Sequence, residues 1–184
     1  MINETHKQWF ERNKEDFAKG DIGEAIVKEY LEDVLHCTVT DVSQEPKYQQ
    51  MDIDFLVDRD SFSEQRTVEV KNDYKLAETG NFFCEYDTYK CGVRYRGWMN
   101  KSKADWLFII QLEGRKIYVL NFNRLKGYCD SHKGLIRQFY NYKEDAYTQA
   151  VLLPVWKARE NKILIKEIDL SPWLEERSCL STLA

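Results

Sequence analysis

Apolar residues return at three- and four-residue intervals from Ile22 through Ile26, Val27, Tyr30, Leu31 and Val34 to Leu35. That period gathers them on one broad face and predicts a helix packed on a sheet. The stretch from about Glu4 to Phe17 predicts an earlier helix that ends at Gly20, after which Asp21 and Glu24 have the spacing of a capping box opening the second helix. At about 100° per residue, Glu24 falls angularly between Leu31 and Leu35, on the edge of the buried face. The pattern then changes to short, strand-like runs at Thr38 to Val42, Asp52 to Val57, Thr67 to Lys71, Trp106 to Leu112 and Lys116 to Asn121. Glu113-Gly114-Arg115 predicts a hairpin between the last two. Beyond Leu125 the pattern loosens; it predicts a helix near Leu135 to Tyr142, strands at Val151 to Trp156 and Ile163 to Ile168, and a closing turn at Ser171-Pro172.

A helix followed by strands, without repeat, low-complexity tract or linker, predicts a single α/β domain over residues 1–184. A chain of this length, 43% hydrophobic and 14% aromatic, can enclose one core. No run reaches the roughly 20 apolar residues of a membrane span, and Met1 to Lys19 is polar, so the expectation is a soluble, cytoplasmic protein without a membrane partner. The five cysteines are an odd number without a CxxC pair. Cys84 and Cys91, taken with His36 or His132, match no usual zinc spacing.

A formal charge of -4 argues against coating nucleic acid by bulk electrostatics. The charge is unevenly spread, however. From Lys90 to Lys103 the chain carries Lys90, Arg94, Arg96, Lys101 and Lys103 with no acid, and Tyr95 and Trp98 lie among them. Lys101 and Lys103, with Arg94 and Arg96, could bind backbone phosphates; an exposed charged loop over a core Trp98 and Trp106 explains the same run.

In Thr67-Val68-Glu69-Val70-Lys71, strand alternation puts Val68 and Val70 on one face and Glu69 with Lys71 on the other, roughly 6.5 Å apart. A bare acid-x-Lys pattern recurs at Glu45-Pro46-Lys47, Asp73-Tyr74-Lys75 and Glu160-Asn161-Lys162, where a solvated ion pair suffices. The first differs by its partner, the strand Met51-Asp52-Ile53-Asp54-Phe55-Leu56-Val57, which opens with acids and continues apolar. As hairpin neighbours the two strands bring Asp54 and Glu69 to one end of the sheet. Two close carboxylates repel unless a cation lies between them, and their hard oxygens favour Mg²⁺.

This arrangement resembles the PD-(D/E)XK nuclease superfamily, in which a helical glutamate precedes an acid at the start of one strand and (D/E)xK on the next. Glu24, Asp54 and Glu69-Val70-Lys71 carry the match, over roughly residues 20–121, with 122–184 as a carboxyl-terminal extension. The usual Pro-Asp is replaced by Asp52-Ile53-Asp54, which places both acids on one strand face and leaves Asp52 as an alternative ligand. The resemblance implies a restriction-endonuclease-like core, a central mixed β-sheet flanked by helices. It implies that Asp54, Glu69 and the Val70 carbonyl bind Mg²⁺, or Mn²⁺ in its place, with Glu24 at a second ion or its water. Lys71 would orient or activate the attacking water, and the substrate would be DNA. The source expected by this analogy is bacterial or viral. A single site nicks, whereas double-strand cleavage commonly needs two, so a homodimer stays open. The competing readings are a nuclease-fold module that binds DNA or protein without cutting, and a structural or inhibitory interaction protein with aromatic anchors. For Glu24, the capping box and a pair with Lys28 compete with a metal role.

Overall fold

The computed structural model describes residues 14–175, with side chains from residue 22 onward. Helix α1, Lys14–Asp33, runs through Gly20 and Gly23 without a break. The expected helix end at Gly20 and fresh start at Asp21 are therefore not observed, and Glu24 lies inside the helix; residues 4–13 of the expected first helix lie outside the described residues. A helical glycine costs only about 1 kcal/mol relative to alanine. Burial of Val27, Tyr30 and Leu31 beneath the same helix outweighs that. Ile22 and Val34, expected on the packed face, are exposed at 50% and 40%, so the buried stripe is narrower than the sequence pattern suggests.

The first sheet is built from β1 (Thr38–Asp41), β2 (Phe55–Asp58) and β3 (Arg66–Asn72), and from three later strands. Two short helices, α2 (Pro46–Gln49) and α3 (Leu76–Thr79), flank this part of the chain. A long strand β4 (Asn81–Lys90) and its hairpin partner β5 (Val93–Arg96) then begin a second sheet, and α4 (Trp98–Lys101) leads back to the first. The hairpin β6 (Trp106–Gln111) and β7 (Lys116–Asn121) follows, with Arg115 at positive φ in its turn. Helix α5 (Phe122–Ser131) is capped by the Asn121 side chain, which accepts from the Arg124 N–H. Then come β8 (Arg137–Asn141), β9 (Ala146–Pro154), α6 (Val155–Glu160) and β10 (Leu164–Asp169), with residues 171–175 helical.

The six-stranded sheet has the order β1-β2-β3-β6-β7-β10, and the four-stranded sheet β5-β4-β9-β8. Only β3 and β6 pair in parallel, so the larger sheet is mixed. Strand β6 opens with the continuous apolar run Trp-Leu-Phe-Ile-Ile because both faces are covered. Phe108 and Ile110 join Val68, Val70 and the α1 residues in one core. Leu107 and Ile109 join Phe82, Cys84, Val151 and Leu153 of the second sheet in another. The result is a mixed α/β architecture of three layers: helix, mixed sheet, second sheet.

Three expectations fail in the carboxyl-terminal part. The helix expected at Leu135 to Tyr142 is a single 3₁₀ turn, Lys133–Leu135, followed by strand β8. Arg-Gln-Phe-Tyr-Asn is extended because pairing with β9 sets Tyr140 against Tyr147 and Phe139 against Thr148. Trp156, expected in a strand, sits in α6. The turn expected at Ser171-Pro172 lies in the final helical segment.

Gly97 joins the two sheets. Its N–H donates to the Tyr86 carbonyl at 2.7 Å, and a Cβ there would stand 2.7 Å from the Glu85 carbonyl oxygen and 2.9 Å from its carbon. Because that obstacle is backbone, Gly97→Ala is expected to lower unfolding free energy by about 1–3 kcal/mol in urea titrations, as overpacking does.

Candidate metal and phosphate site

Strand β3 alternates as the sequence predicts: Val68 and Val70 join the helix-side core, which leaves Glu69 and Lys71 for the face toward the second sheet. Glu69 is 1% exposed and forms an ion pair with Lys71. Its second oxygen, Oε2, is buried with no hydrogen-bond partner.

Asp54 lies one residue before β2, which pairs antiparallel with β3. Its N–H donates to the Val68 carbonyl at 2.9 Å, and its Oδ2 accepts from the Val70 N–H at 2.7 Å. The side chain thus extends the β2–β3 ladder by one bond, and this fixes the carboxylate beside Glu69.

Burial pushes the Glu69 carboxyl well above the ordinary range; the charges of Asp54 and Asp52 push the same way, and Lys71 only partly opposes them. Asp54 is raised too, by burial first and by Asp52, against the Val70 N–H, Lys71 and Glu69. Burial alone would lower the Lys71 ammonium, but Glu69, Asp52 and Asp54 outweigh it and hold it above its usual value. Lys71 is therefore a cation in this site at neutral pH.

Asp52 does not lie on the strand face beside Asp54. It occupies a turn at φ 46°, pairs with Lys101 at 2.5 Å, and its carbonyl accepts from the Ser102 hydroxyl at 3.1 Å. The strand begins at Phe55, three residues later than expected, because Ile53 turns into a small core with Val42 and Ala104. Asp54, rather than Asp52, is the acid that meets Glu69.

Glu24 is half-buried on α1, one turn before Val27. The neighbouring Gly23 packs against β3 so closely that a Cβ would stand 2.3 Å from Asn72 Oδ1. Among the described residues, no group of three or more His, Cys, Asp or Glu side chains is arranged to hold a metal ion. Glu24 is thus brought to the β3 end of the sheet but not into one cluster with Asp54 and Glu69. A pair suffices for Mg²⁺, which keeps several of its waters and takes one or two carboxylates. The orphaned Glu69 oxygen and the oriented Asp54 fit such an ion.

The basic segment is knitted to this site. Lys101 reaches Asp52, and the exposed Lys103 donates its N–H to the Met51 carbonyl at 2.8 Å. Arg94 pairs with Asp87 at 2.8 Å, while an Arg96 guanidinium N–H donates to the Asn100 carbonyl at 2.5 Å. Asn100 in turn donates to Asp87 at 3.2 Å. Asp87, Asn100 and Ser102 were not among the site residues expected from the sequence. Their only signal was adjacency to the cationic run, since contact with β4 and the Asp52 turn comes from the fold.

Cys84 is buried in β4, whereas Cys91 is exposed at the β4–β5 turn, so the zinc set is not assembled. No described helix is long and apolar enough to cross a membrane. No family model, curated protein or solved structure matches this sequence.

Proposed function

We propose that this chain is a Mg²⁺-dependent nuclease with a restriction-endonuclease-like core of the PD-(D/E)XK kind, hydrolysing DNA phosphodiester bonds. One observation carries the reading: a buried glutamate with an unpartnered oxygen beside a second, oriented carboxyl group, with a lysine on the same strand face. A buried carboxylate oxygen without a partner is costly, and a structure that retains one calls for a ligand.

Asp54 and Glu69, with the Val70 carbonyl, would hold Mg²⁺ or Mn²⁺, and Glu24 would reach a water of that ion from α1. When bound, such an ion polarises a phosphate and lowers the pKa of water. Lys71 would place positive charge where negative charge develops and orient or activate the nucleophilic water. Asp54 holds its orientation through the Val70 N–H. Arg94, Arg96, Lys101 and Lys103 would receive backbone phosphates. The chain would act in the cytoplasm of a bacterial or virus-infected cell, and paired cuts would require a homodimer.

The test is incubation with supercoiled plasmid and with labelled single-stranded and branched DNA in Mg²⁺ or Mn²⁺, with EDTA as control. Cleavage that EDTA abolishes is expected. The second reading, a DNA- or protein-binding module of the same fold that does not cut, is favoured by the absence of a third clustered carboxylate among the described residues. Metal-dependent turnover eliminates it.

A further inference from the structure

Two rows of side chains cross the four-stranded sheet on one face. Register sets Arg94 opposite Tyr89, Tyr89 opposite Tyr147, and Tyr147 opposite Tyr140. The next row runs from Arg96 through Asp87 and Gln149 to Gln138. Along β9, alternation puts Tyr147 and Gln149 on the same face as Val151 and Leu153, which pack against the first sheet. The aromatic row is therefore the outward continuation of the face that looks toward Glu69 and Lys71.

Its rings already stack. Tyr89 and Tyr147 lie 4.8 Å apart at 12°, and Tyr140 lies 5.6 Å from Tyr147. Tyr142 stacks on Tyr140 at 6.0 Å and 18°. Cross-strand tyrosine pairs stabilise a sheet by themselves. That role does not account for the outer end of the row, where Tyr140 is 58% and Tyr142 89% exposed. It also does not account for the arginines at the other end. Asp87 neutralises Arg94, but Arg96 is held by a neutral carbonyl, which orients the guanidinium without cancelling its charge. Beyond Arg96, α4 carries Lys101 to Asp52, beside Asp54 and Glu69.

We propose that this face binds an unpaired polynucleotide strand, with the tyrosine row stacking its bases and Arg96 receiving a backbone phosphate on the way to the Asp54–Glu69 site. Stacking requires an exposed base face, which a duplex interior denies, and aromatic rows bordered by cations are how strands are held without sequence preference. Tyr140 and Arg94 are three strand spacings apart, roughly 14 Å, so the row spans more than one nucleotide. Strand binding stands by itself; only delivery to the site rests on the nuclease reading.

The experiment is fluorescence anisotropy in EDTA with a labelled oligothymidine and a blunt duplex of equal length. It compares the wild type with Tyr140→Ala, Tyr140→Phe and Arg96→Ala, each also assayed for cutting in Mg²⁺. The wild type should bind the single strand at least about tenfold tighter than the duplex. Tyr140→Ala should weaken single-strand binding about tenfold and leave the duplex unmoved, while Tyr140→Phe, which keeps the ring, restores it. Arg96→Ala should flatten the salt dependence by about one phosphate contact. Equal affinity for both DNAs, or a Tyr140→Ala protein that binds as tightly as the wild type, overturns the proposal. Tyrosine-dependent strand binding by a protein that cuts nothing keeps this proposal and removes the nuclease reading. Cutting by a Tyr140→Ala protein with unchanged affinity does the reverse.

Discussion

Replacing Lys71 by alanine is expected to reduce the single-turnover cleavage rate by about 10²–10³, the usual loss when one preorganised charge is removed from a phosphoryl-transfer site. Affinity for DNA should change by less than about threefold if, as proposed, Arg94, Arg96, Lys101 and Lys103 receive most of the backbone phosphates. The argument comes from placement. Lys71 shares the β3 face with Glu69, and in the metal-free protein the charges of Glu69, Asp52 and Asp54 favour its ammonium form. Asp52→Asn supplies the contrast: Asp52 is held by Lys101 in a turn and should affect rate by about tenfold or less, through the local field alone. A Lys71→Ala protein that cuts at the wild-type rate would sink the assigned role.

The second large effect concerns stability. In metal-free buffer at pH 8, Glu69→Gln is expected to be more stable than the wild type, by an amount on the order of 1–3 kcal/mol, the cost of a buried polar group left unsatisfied. Each kcal/mol appears as a rise of about 2–4 °C in Tm. The sign follows from linkage. Glu69 has its folded pKa raised above the unfolded value of about 4.3, so the folded state binds the extra proton. That contribution is fully present below the unfolded pKa and is lost as pH rises through the folded one. The advantage of glutamine should accordingly shrink toward zero near pH 4. Mg²⁺ should raise the wild-type Tm at pH 8 and move the variant much less, since an ion held by the native carboxylates stabilises by mass action. Thermal melts across pH, with and without the ion, read both effects; a variant less stable than the wild type at pH 8 contradicts the assignment.

Much of the six-stranded sheet was legible in the residues. Thr67 to Lys71 alternates, Trp106 to Ile110 is apolar throughout, and the Asp54 to Glu69 spacing fits adjacent antiparallel strands, all of which are local signals. Of the second sheet only the end of β9, expected as a strand from Val151, was legible. In β4, Phe82, Cys84 and Tyr86 are buried at alternate positions, but Phe83 between them is also apolar, the bulge at Glu85/Asp87 shifts the period, and β9 lies nearly sixty residues later. The cationic run drew attention to Arg94 and Arg96, yet only the cross-strand register reveals that they begin a row ending at Tyr140. Gly20 misled because a glycine that stops a helix and one that a packed helix tolerates look alike in sequence. Asp52 misled similarly: alternation assigned it to the strand, while positive φ and the Lys101 contact place it in a turn. The placement of Asp54 and Glu69 on adjacent antiparallel strands was legible because it does not depend on either detail.

The most direct measurement is cleavage of supercoiled plasmid over a Mg²⁺ titration by wild-type and Asp54→Asn proteins purified side by side. The account predicts nicking by the wild type that rises with Mg²⁺ and vanishes in EDTA, and a loss of at least about 10³ in the variant, whose amide cannot replace a carboxylate ligand. Equal cutting by both proteins, or none by the wild type at any Mg²⁺ or Mn²⁺ concentration, contradicts it.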